Sequence, residues 1–461
     1  MLMLLIAREL RSHLLTYRFV VSFLLLFVLI VSSVTILAHN YQRRLDSHAE
    51  TERAREERLK ETADFRSLMW SGIQVEKAPN PLSVFAVGLE REVSRSVSMS
   101  RRGEPKLGRS KYSSPLYTLF PAPDLLYIVN IIGSLLAVLF AFNTISGEQE
   151  DGTLQLVMAN PVPRHRLLLA KWMGGYLALM VPFLVSLLVA ILFAQLTTSL
   201  DLSGSEWGAL LGMLAVAALY MSAFYTLSLM VSVMTHRAST SLVVSFLVWV
   251  LLVLVVPNIA PIAARSLVSV PSAGVMGGQR EAIRRQVWRD MRDRMREVSR
   301  DQRQEIRDEA EGRIADETKK LLDDYLQKVN SQIDVSVTLA RLSPSASYVY
   351  ATAGFAGSGL EDFSGLREYI DQYRQRYLDR LEQLEQERRR QSEGVTDPEE
   401  RREIRDAPVD PKDLPVFDPA RRPFDDILVN ADIDLILLLL ANAVFFLAAY
   451  VGFLRYDLMK R

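Results

Sequence analysis

Six stretches of this chain contain no aspartate, glutamate, lysine or arginine, and each is long enough to cross a lipid bilayer. A helix spans the hydrocarbon core of about 30 Å with roughly 20 apolar residues. Soluble helices seldom stay uncharged over such a length, so buried soluble helices are a poor alternative. The sequence therefore predicts an all-α polytopic membrane protein with six transmembrane helices. We place these helices at residues 19–38, 125–147, 172–195, 207–235, 239–263 and 435–454.

The charged residues are concentrated between these stretches. Lys and Arg number 54 and Asp and Glu also number 54, a balance that argues against a basic nucleic-acid-binding protein. The absence of cysteine excludes a disulfide-stabilised scaffold. The basic head and the apolar stretch at 19–38 are also compatible with a signal peptide. That stretch exceeds the roughly 7–15 apolar residues of a cleaved signal, so we interpret it as a membrane anchor.

Basic residues in the short connecting segments orient the chain. The head at 1–18, the connections at 148–171 and 235–238 and the tail at 455–461 carry ten Lys and Arg, whereas the loop at 196–206 carries none. Positive residues in short loops stay on the cytoplasmic side of the membrane. Both termini are therefore predicted to be cytoplasmic, and the absence of cysteine fits the inner membrane of a bacterium.

This orientation makes two long segments extracytoplasmic, at 39–124 and 264–434. In the second segment, a polar helix predicted over 279–329 has about one apolar residue per turn, and a helix predicted over 365–390 has the same pattern. Packing the two apolar stripes together gives an antiparallel helical hairpin. The hairpin is either a solvated spacer or a surface that binds a partner or substrate.

The first extracytoplasmic segment is predicted to be a small mixed domain with a helix over 41–67 and strands at 73–77 and 84–87. So small a domain needs the second segment to bury its core. In the second segment, Ser343-Pro344 is predicted to start a helix that lies near the membrane surface.

Small residues and prolines inside the spans are predicted to shape the bundle. Gly174-Gly175 is expected to serve helix packing rather than substrate contact. Pro257 and Pro261 predict kinks in the fifth span.

The connection after the second span carries the most distinctive polar pattern. Four acidic or amide side chains occupy 148–151, and Gly152 then interrupts the helix. Thr153 is suited to cap a short helix over 154–160, and Pro161 ends that helix. A short amphipathic helix at this position suits docking into a groove of a partner. A plain polar turn is the alternative.

These residues resemble the permease subunits of type-2 ATP-binding-cassette (ABC) transporters, in particular bacterial members with large extracytoplasmic loops. The resemblance rests on Glu148-x-Glu150-x-Gly152-Thr153-Leu154, Pro161-Val162-x-Arg164, Lys171, the head Ala7-Arg8-Glu9-Leu10-Arg11 and the stretch Arg341-Leu-Ser-Pro344.

The resemblance implies a permease that pairs with a second permease subunit, identical or not, and binds two copies of a cytoplasmic ABC ATPase. By this analogy, residues 148–166 form a coupling helix seated in the ATPase, and Glu148 and Glu150 make charged contacts there. The helix at 1–18 would lie flat on the inner leaflet. ATP and Mg would be bound by the ATPase, so this chain is expected to hold no cofactor and to be no enzyme.

The chain contains no Gly-x-x-x-x-Gly-Lys-[Ser/Thr] phosphate loop and no histidine pair at metal-ligand spacing. No catalytic or metal-binding residue is therefore assigned. Ionisable groups are nearly absent from the span interiors, which argues against ion-coupled transport.

The leading hypothesis is an exporter permease driven by a separate ATPase, with an unidentified substrate. The alternative is a mechanotransmission or assembly subunit whose hairpin regulates a periplasmic partner without transport. A membrane scaffold or sensor that has no ATPase is the weakest of the three hypotheses.

Overall fold

The chain divides into two compact units in a computed structural model. One unit is formed by Met1–Trp249 with Ser347–Arg461, and the other by Val250–Ala346. The predicted residue Pro161 and the tail at 456–461 lie outside the part that the structure describes. That part consists of residues 2–61, 68, 72–91, 96–100, 105–107, 123–159, 163–296, 300–393, 395, 397, 399–401, 404 and 407–455.

The fold is built almost entirely from helices. In chain order they are α1 (Leu2–Leu14), α2 (Tyr17–Glu61), α3 (Leu125–Glu150), α4 (Thr153–Met158), α5 (Arg164–Thr197), α6 (Gly204–Met234), α7 (Ala238–Leu267), α8 (Ala273–Arg296), α9 (Arg300–Ala340), α10 (Pro344–Phe355), α11 (Leu360–Glu393) and α12 (Phe424–Leu454). Six of them are long and apolar enough to cross a membrane, namely α2, α3, α5, α6, α7 and α12. This confirms the predicted all-α class with six spans.

The first span and the polar helix after it form one continuous helix. A span at 19–38 and a separate helix at 41–67 were predicted, whereas α2 runs without a break from the span as far as Glu61, for 45 residues. Residues 62–67 of the predicted helix lie outside the described part. No glycine or proline occurs between residues 17 and 61, so nothing in the sequence breaks the helix. At 1.5 Å per residue, α2 is about 68 Å long, roughly twice the thickness of a bilayer core.

Helix α6 lies at the centre of the spanning bundle and packs against α3, α5 and α12. Mild polar side chains join these helices. Ser222 Oγ donates to Asn442 Oδ1 at 2.6 Å, and Asn442 Nδ2 donates to Leu219 O at 3.0 Å. Tyr220 Oη donates to Asn130 Oδ1 at 2.8 Å. The uncharged polar residues of the spans therefore hold helices together, as is usual in membranes.

Two of the spanning helices contain a π-helical turn. In α3 it covers Ile128–Gly133, and in α7 it covers Leu251–Val255, just before Pro257. Proline has no backbone N–H, so the carbonyl of Val253 loses its α-helical donor at residue 257. The irregularity expected from Pro257 is therefore present as a π-helical turn in the preceding residues.

Helix α10 starts at Pro344, as predicted, but it does not lie on a surface. Its Tyr348 and Phe355 are almost fully buried, and the Tyr348 ring stacks on Tyr220 of α6 with ring centroids 4.4 Å apart. Helix α10 is buried on most of its faces rather than along one stripe, so it is not the one-sided helix expected of a segment at the membrane surface. The aromatic pair connects α10 to the central helix of the bundle.

The long polar helix predicted over 279–329 is two helices, α8 and α9. Val287 and Met291 of α8 share a buried apolar cluster with Ile306 and Ala310 of α9. In a straight helix, Met291 and Ile306 would lie about 22 Å apart, so the chain reverses between them. The apolar stripe therefore folds back on itself in an α8–α9 hairpin.

The predicted partner of that stripe, α11, is buried elsewhere. Its apolar residues Ile370, Tyr373 and Tyr377 share a core with Leu59 of α2 and with the strands of the first long segment. The predicted hairpin between 279–329 and 365–390 was therefore wrong. Spacing along the sequence indicated that each stripe is buried, but it did not identify the partner.

The first long segment contributes a three-stranded antiparallel sheet. Its strands, in order β1-β2-β3, are Ile73–Glu76, Ser96–Met99 and Lys106–Leu107. The strand predicted at 73–77 is confirmed, whereas the one at 84–87 is wrong, because Asn80 caps a 3₁₀ turn at Pro81–Val84. We call the sheet, this turn and α11 the loop domain. Its core combines both long segments, as predicted.

Polar contacts tie the loop domain to the bundle. Asp124, at the start of α3, accepts hydrogen bonds from the backbone N–H of Val87 at 2.9 Å and of Tyr127 at 2.8 Å. Asn80 Nδ2 donates to Ala356 O at 2.6 Å, just after α10. Arg422 forms ion pairs of 2.7–2.8 Å with the carboxylates at the start of α11. The ends of α3 and α10 are therefore fixed to one polar framework.

The contact between α6 and α10 yields a stability prediction. A Cβ at Gly212 would lie 2.6 Å from the buried Phe355 ring, whereas a Cβ at Gly208 would be 3.7 Å from the Phe424 ring. Gly212→Ala is expected to destabilise the protein by about 1–3 kcal/mol through overpacking. The matched Gly208→Ala should be neutral or slightly stabilising, since alanine favours helix. Apparent melting temperatures of the two purified variants provide the measurement, and equal values would contradict the packing argument.

Candidate functional site

The buried lysine of the predicted motif joins three helices at the α1 end of the bundle. Lys171 of α5 is only 4% exposed, and its Nζ lies 2.7 Å from Glu148 Oε1 of α3 and 3.3 Å from Glu9 Oε1 of α1. The two carboxylates are 29% and 21% exposed. We call Glu9, Glu148 and Lys171 the Lys171 network. It brings together three residues that the sequence analysis selected from separate motifs.

Two consecutive glycines allow α1 to approach α5 closely enough for this network. A Cβ at Gly174 would lie 2.6 Å from Glu9 Cβ and 3.2 Å from Ile6 O. A Cβ at Gly175 would overlap the Tyr225 hydroxyl and lie 3.1 Å from His13 Nε2. The predicted packing role of this pair is therefore confirmed, and the packing brings Glu9 within reach of Lys171.

A histidine and an arginine lie beside the network. His13 Nε2 is 3.9 Å from Glu9 Oε1. Burial lowers the pKa of His13, and the nearby charges of Lys171 and Arg18 lower it further, while Glu9 acts in the opposite direction. The lowered pKa favours neutral imidazole at neutral pH, which leaves Lys171 as the cation between the two carboxylates.

The segment after Glu148 makes the sharp turn that its glycine predicted. Gly152 has φ +72°, in the left-handed region that favours glycine, and it occupies the N-cap position of α4. Thr153, the predicted cap, instead lies in the first turn, and its hydroxyl donates to Glu148 O at 3.4 Å. Leu154 is fully buried, whereas Leu156 is 72% exposed. Helix α4 therefore has one apolar anchor and one apolar side chain facing outward.

The remaining charged residues of the motif stabilise the ends of two other helices. Glu150 Oε2 accepts a hydrogen bond from Ala238 N at 3.0 Å, at the N-terminus of α7. Arg164 Nη1 donates to Leu454 O at 2.6 Å, at the C-terminus of α12. Each charge has the sign that complements the helix dipole at that end. Both residues were selected from the sequence, but their partners were not.

Other selected residues lie apart from the network. Arg8 and Arg11 are exposed on α1, and Pro161 is outside the described residues. The sequence analysis missed Ser232, whose Oγ accepts from the backbone N–H of Ile145 at 3.1 Å and Ser146 at 3.0 Å. Nothing in the local sequence around Ser232 indicated this role. Among the residues that the structure describes, no cluster of three His, Asp or Glu side chains could hold a metal ion.

The arrangement can transmit a displacement between helices. A movement of α4 would displace the end of α3 that carries Glu148 and Glu150. Lys171 couples Glu148 to α1 and α5, and Glu150 contacts the start of α7.

The network yields a test of its own. Lys171→Met leaves two partly buried carboxylates facing one another without a cation, and breaking such a pair is expected to destabilise the protein by about 3 kcal/mol. Arg166→Met, at an exposed site on the same helix, should change stability by about 0.5 kcal/mol or less. Apparent melting temperatures of the purified proteins distinguish the two. Identical melting would show that the network contributes nothing to the folded state.

Comparison with known proteins places this chain in a family. No curated protein matches the chain significantly. Residues 3–458 match the family described as ABC-2 family transporter protein, which covers nearly the whole sequence and includes every residue of the Lys171 network. The chain therefore belongs to the ABC-2 transporter family and is a membrane permease of an ABC transporter.

Proposed function

We propose that this permease is the membrane subunit of an exporter and that a separate cytoplasmic ATPase drives it through α4. The observation that carries the proposal is the Lys171 network, because it links the segment beside α4 to α1 and α5 through buried charges. Such links resist independent movement of the three helices, so a displacement at α4 is passed on as a rigid-body shift.

Helix α4 has the features of a docking element. It is six residues long and lies between two spanning helices. Leu154 anchors it, and the exposed Leu156 offers an apolar side chain to a groove, a common mode of helix recognition. In this proposal Leu156, which was not among the residues predicted from the sequence, contacts the ATPase. The predicted charged residues hold α4 to the bundle instead.

The proposal includes an orientation and an assembly. Both termini and α4 lie in the cytoplasm of a bacterium, and the loop domain lies outside the inner membrane. This follows from the Lys and Arg bias of the short connections. Two copies of the ATPase bind ATP and Mg and serve a pair of permease subunits. The apolar side chains exposed on α2, α7 and α12 are available for lipid and for the second subunit.

A second candidate function is favoured by α2. This helix packs against α5 and then continues to Leu59, which is buried in the core of the loop domain. A tilt of α5 is therefore passed on to the loop domain. That geometry suits a subunit that performs mechanical work on a periplasmic partner without moving a substrate.

The docking role of α4 can be tested at Leu156. Leu156→Asp is expected to reduce co-purification of the partner ATPase by at least about tenfold, because burial of a leucine contributes about 1.5–3 kcal/mol. The matched Gln155→Asp adds the same charge at an exposed position in the first turn of α4, where the helix dipole favours it, and should retain the ATPase. Unchanged binding by Leu156→Asp would contradict docking through α4.

Charge reversal at Glu148 and Glu150 is a weaker test. Glu148 pairs with Lys171 and Glu150 caps α7, so reversal disrupts the chain itself. Loss of ATPase binding in such a variant would not locate the contact, and it would need the Lys171→Met protein as a control.

Export and mechanical work predict different stimulation of ATP hydrolysis. In nanodiscs that contain the permease and its ATPase, an exporter is expected to respond to a lipid or peptide substrate added alone. A mechanotransmission subunit should respond only to a soluble periplasmic protein. Breaking α2 by inserting two glycines after Ser47 should abolish the second response and leave the first. The rate of phosphate release measures both, and stimulation by the periplasmic protein alone would refute the export proposal.

A further inference from the structure

A cavity of about 240 Å³ with mixed polar and apolar walls lies beside the Lys171 network. It is half open and is lined by α1, by the start of α2 and by the last turns of α3. Its volume far exceeds the roughly 10–15 Å³ that admits a single water molecule. The polar residues that matter for its chemistry are Glu9, Ser12, His13, Arg18, Asn143 and Glu148.

One part of the cavity wall is positive. The Arg18 guanidinium lies over the Phe142 ring, with Cζ 5.1 Å from the ring centroid, and it forms no ion pair with any residue that the structure describes. Arg18 stands in the first turn of α2, which contains no acidic residue. The helix dipole adds to the positive potential there. This part of the wall is suited to an anionic group such as a phosphate.

Another part of the wall accepts hydrogen bonds. Glu148 uses Oε1 to bind Lys171, whereas its Oε2 is shielded from solvent and has no hydrogen-bond partner within the described chain. A carboxylate oxygen without a donor is costly to bury. Glu9 adds a second carboxylate to the wall, and Asn143 adds an amide. A donor with positive charge would complement these groups.

We propose that the cavity binds the headgroup of a phosphatidylethanolamine-type phospholipid, with its phosphate at Arg18 and its ammonium group directed to Glu148. A zwitterionic headgroup matches both signs of charge in one small space. A phosphatidylcholine headgroup has the same charges but no N–H to donate to Glu148 Oε2. A phosphatidylglycerol headgroup places a net negative charge beside Glu9 and Glu148 without a compensating ammonium.

The position of the cavity favours a lipid over a soluble molecule. Helix α1 exposes the apolar Met3 and Leu4 as well as the basic Arg8 and Arg11, a combination that suits contact with acyl chains and headgroups at the membrane surface. The cavity lies at the turn between α1 and the first spanning helix. The headgroup therefore occupies the cavity while its acyl chains remain in the bilayer.

A bound headgroup would reinforce the Lys171 network. Its ammonium group supplies Glu148 with a second cation, on the side opposite Lys171. This assignment shares Glu9 and Glu148 with the proposed coupling function. Its test uses neither ATP nor the ATPase, so failure of one proposal is distinguishable from failure of the other.

Lipid retention by the full-length protein tests the assignment. The protein is purified in detergent, stripped of lipid, and exposed to mixed micelles containing phosphatidylethanolamine, phosphatidylcholine or phosphatidylglycerol. The retained lipid is then quantified by mass spectrometry. We expect phosphatidylethanolamine to be retained at least tenfold better than the other two. Equal retention of phosphatidylcholine, or preference for phosphatidylglycerol, would overturn the proposal.

Two variants place the lipid in the cavity. Arg18→Gln should lower phosphatidylethanolamine retention to the phosphatidylcholine level, while the matched Arg166→Gln, exposed on α5 and outside the cavity wall, should leave it unchanged. If Arg18→Gln does not fold, Ser12→Phe fills the cavity from its exposed edge and should give the same loss. Full retention by whichever variant folds would refute the assignment.

Soluble glycerophosphoethanolamine distinguishes a lipid from a free headgroup. At millimolar concentration it is expected to displace little of the bound lipid, because it lacks acyl chains. Complete displacement would assign the cavity to a soluble phosphoethanolamine compound and reject the lipid.

Discussion

A single buried ammonium group organises the α1 end of this permease. Lys171 is 4% exposed, and a charge so far removed from water costs several kcal/mol unless opposite charges compensate it. Glu9 and Glu148 provide that compensation, and they belong to α1 and α3. Helix α5 can therefore keep its lysine buried only while both neighbouring helices are in place. The positions of the three helices depend on one another, and this dependence makes a coupled movement more favourable than an independent one.

Compensation of charges within the bundle also explains why the charged residues of the motif are less available to a partner than the sequence suggests. Glu148 and Lys171 neutralise one another, Glu150 caps the start of α7, and Arg164 caps the end of α12. The surface that α4 offers to a partner is therefore partly apolar, through Leu156, and not mainly acidic. An acidic cluster in sequence became a set of internal contacts because helices packed side by side leave few charges without a nearby partner.

Local sequence determined most of the helices of this fold, but it determined little of which helices and strands pack against one another. The uncharged stretches predicted all six spans, Pro344 predicted the start of α10, and Gly152 predicted the turn before α4, since each depends on neighbouring residues alone. The α8–α9 hairpin and the burial of α11 beside β1 depend on contacts between distant residues. An apolar stripe indicates only that something covers it. For the same reason Lys171 was selected from a motif, while its partner Glu9 was recognised only once α1 lay against Gly174.

The continuity of α2 connects the two ends of the first unit. It packs against α5, the helix that carries Lys171, and it ends in the core that the two long segments share. No glycine or proline interrupts it, so a tilt imposed near the Lys171 network is not absorbed by a hinge within α2. The loop domain then either moves with α2 or loses the burial of Leu59. The core also contains α11, whose first turn is held by Arg422. Moving the loop domain together with α2 therefore costs less free energy than separating Leu59 from this core. Under either proposed function, transport or mechanical transmission, the same rigid connection would be used, and the two would differ in what the moving loop domain contacts.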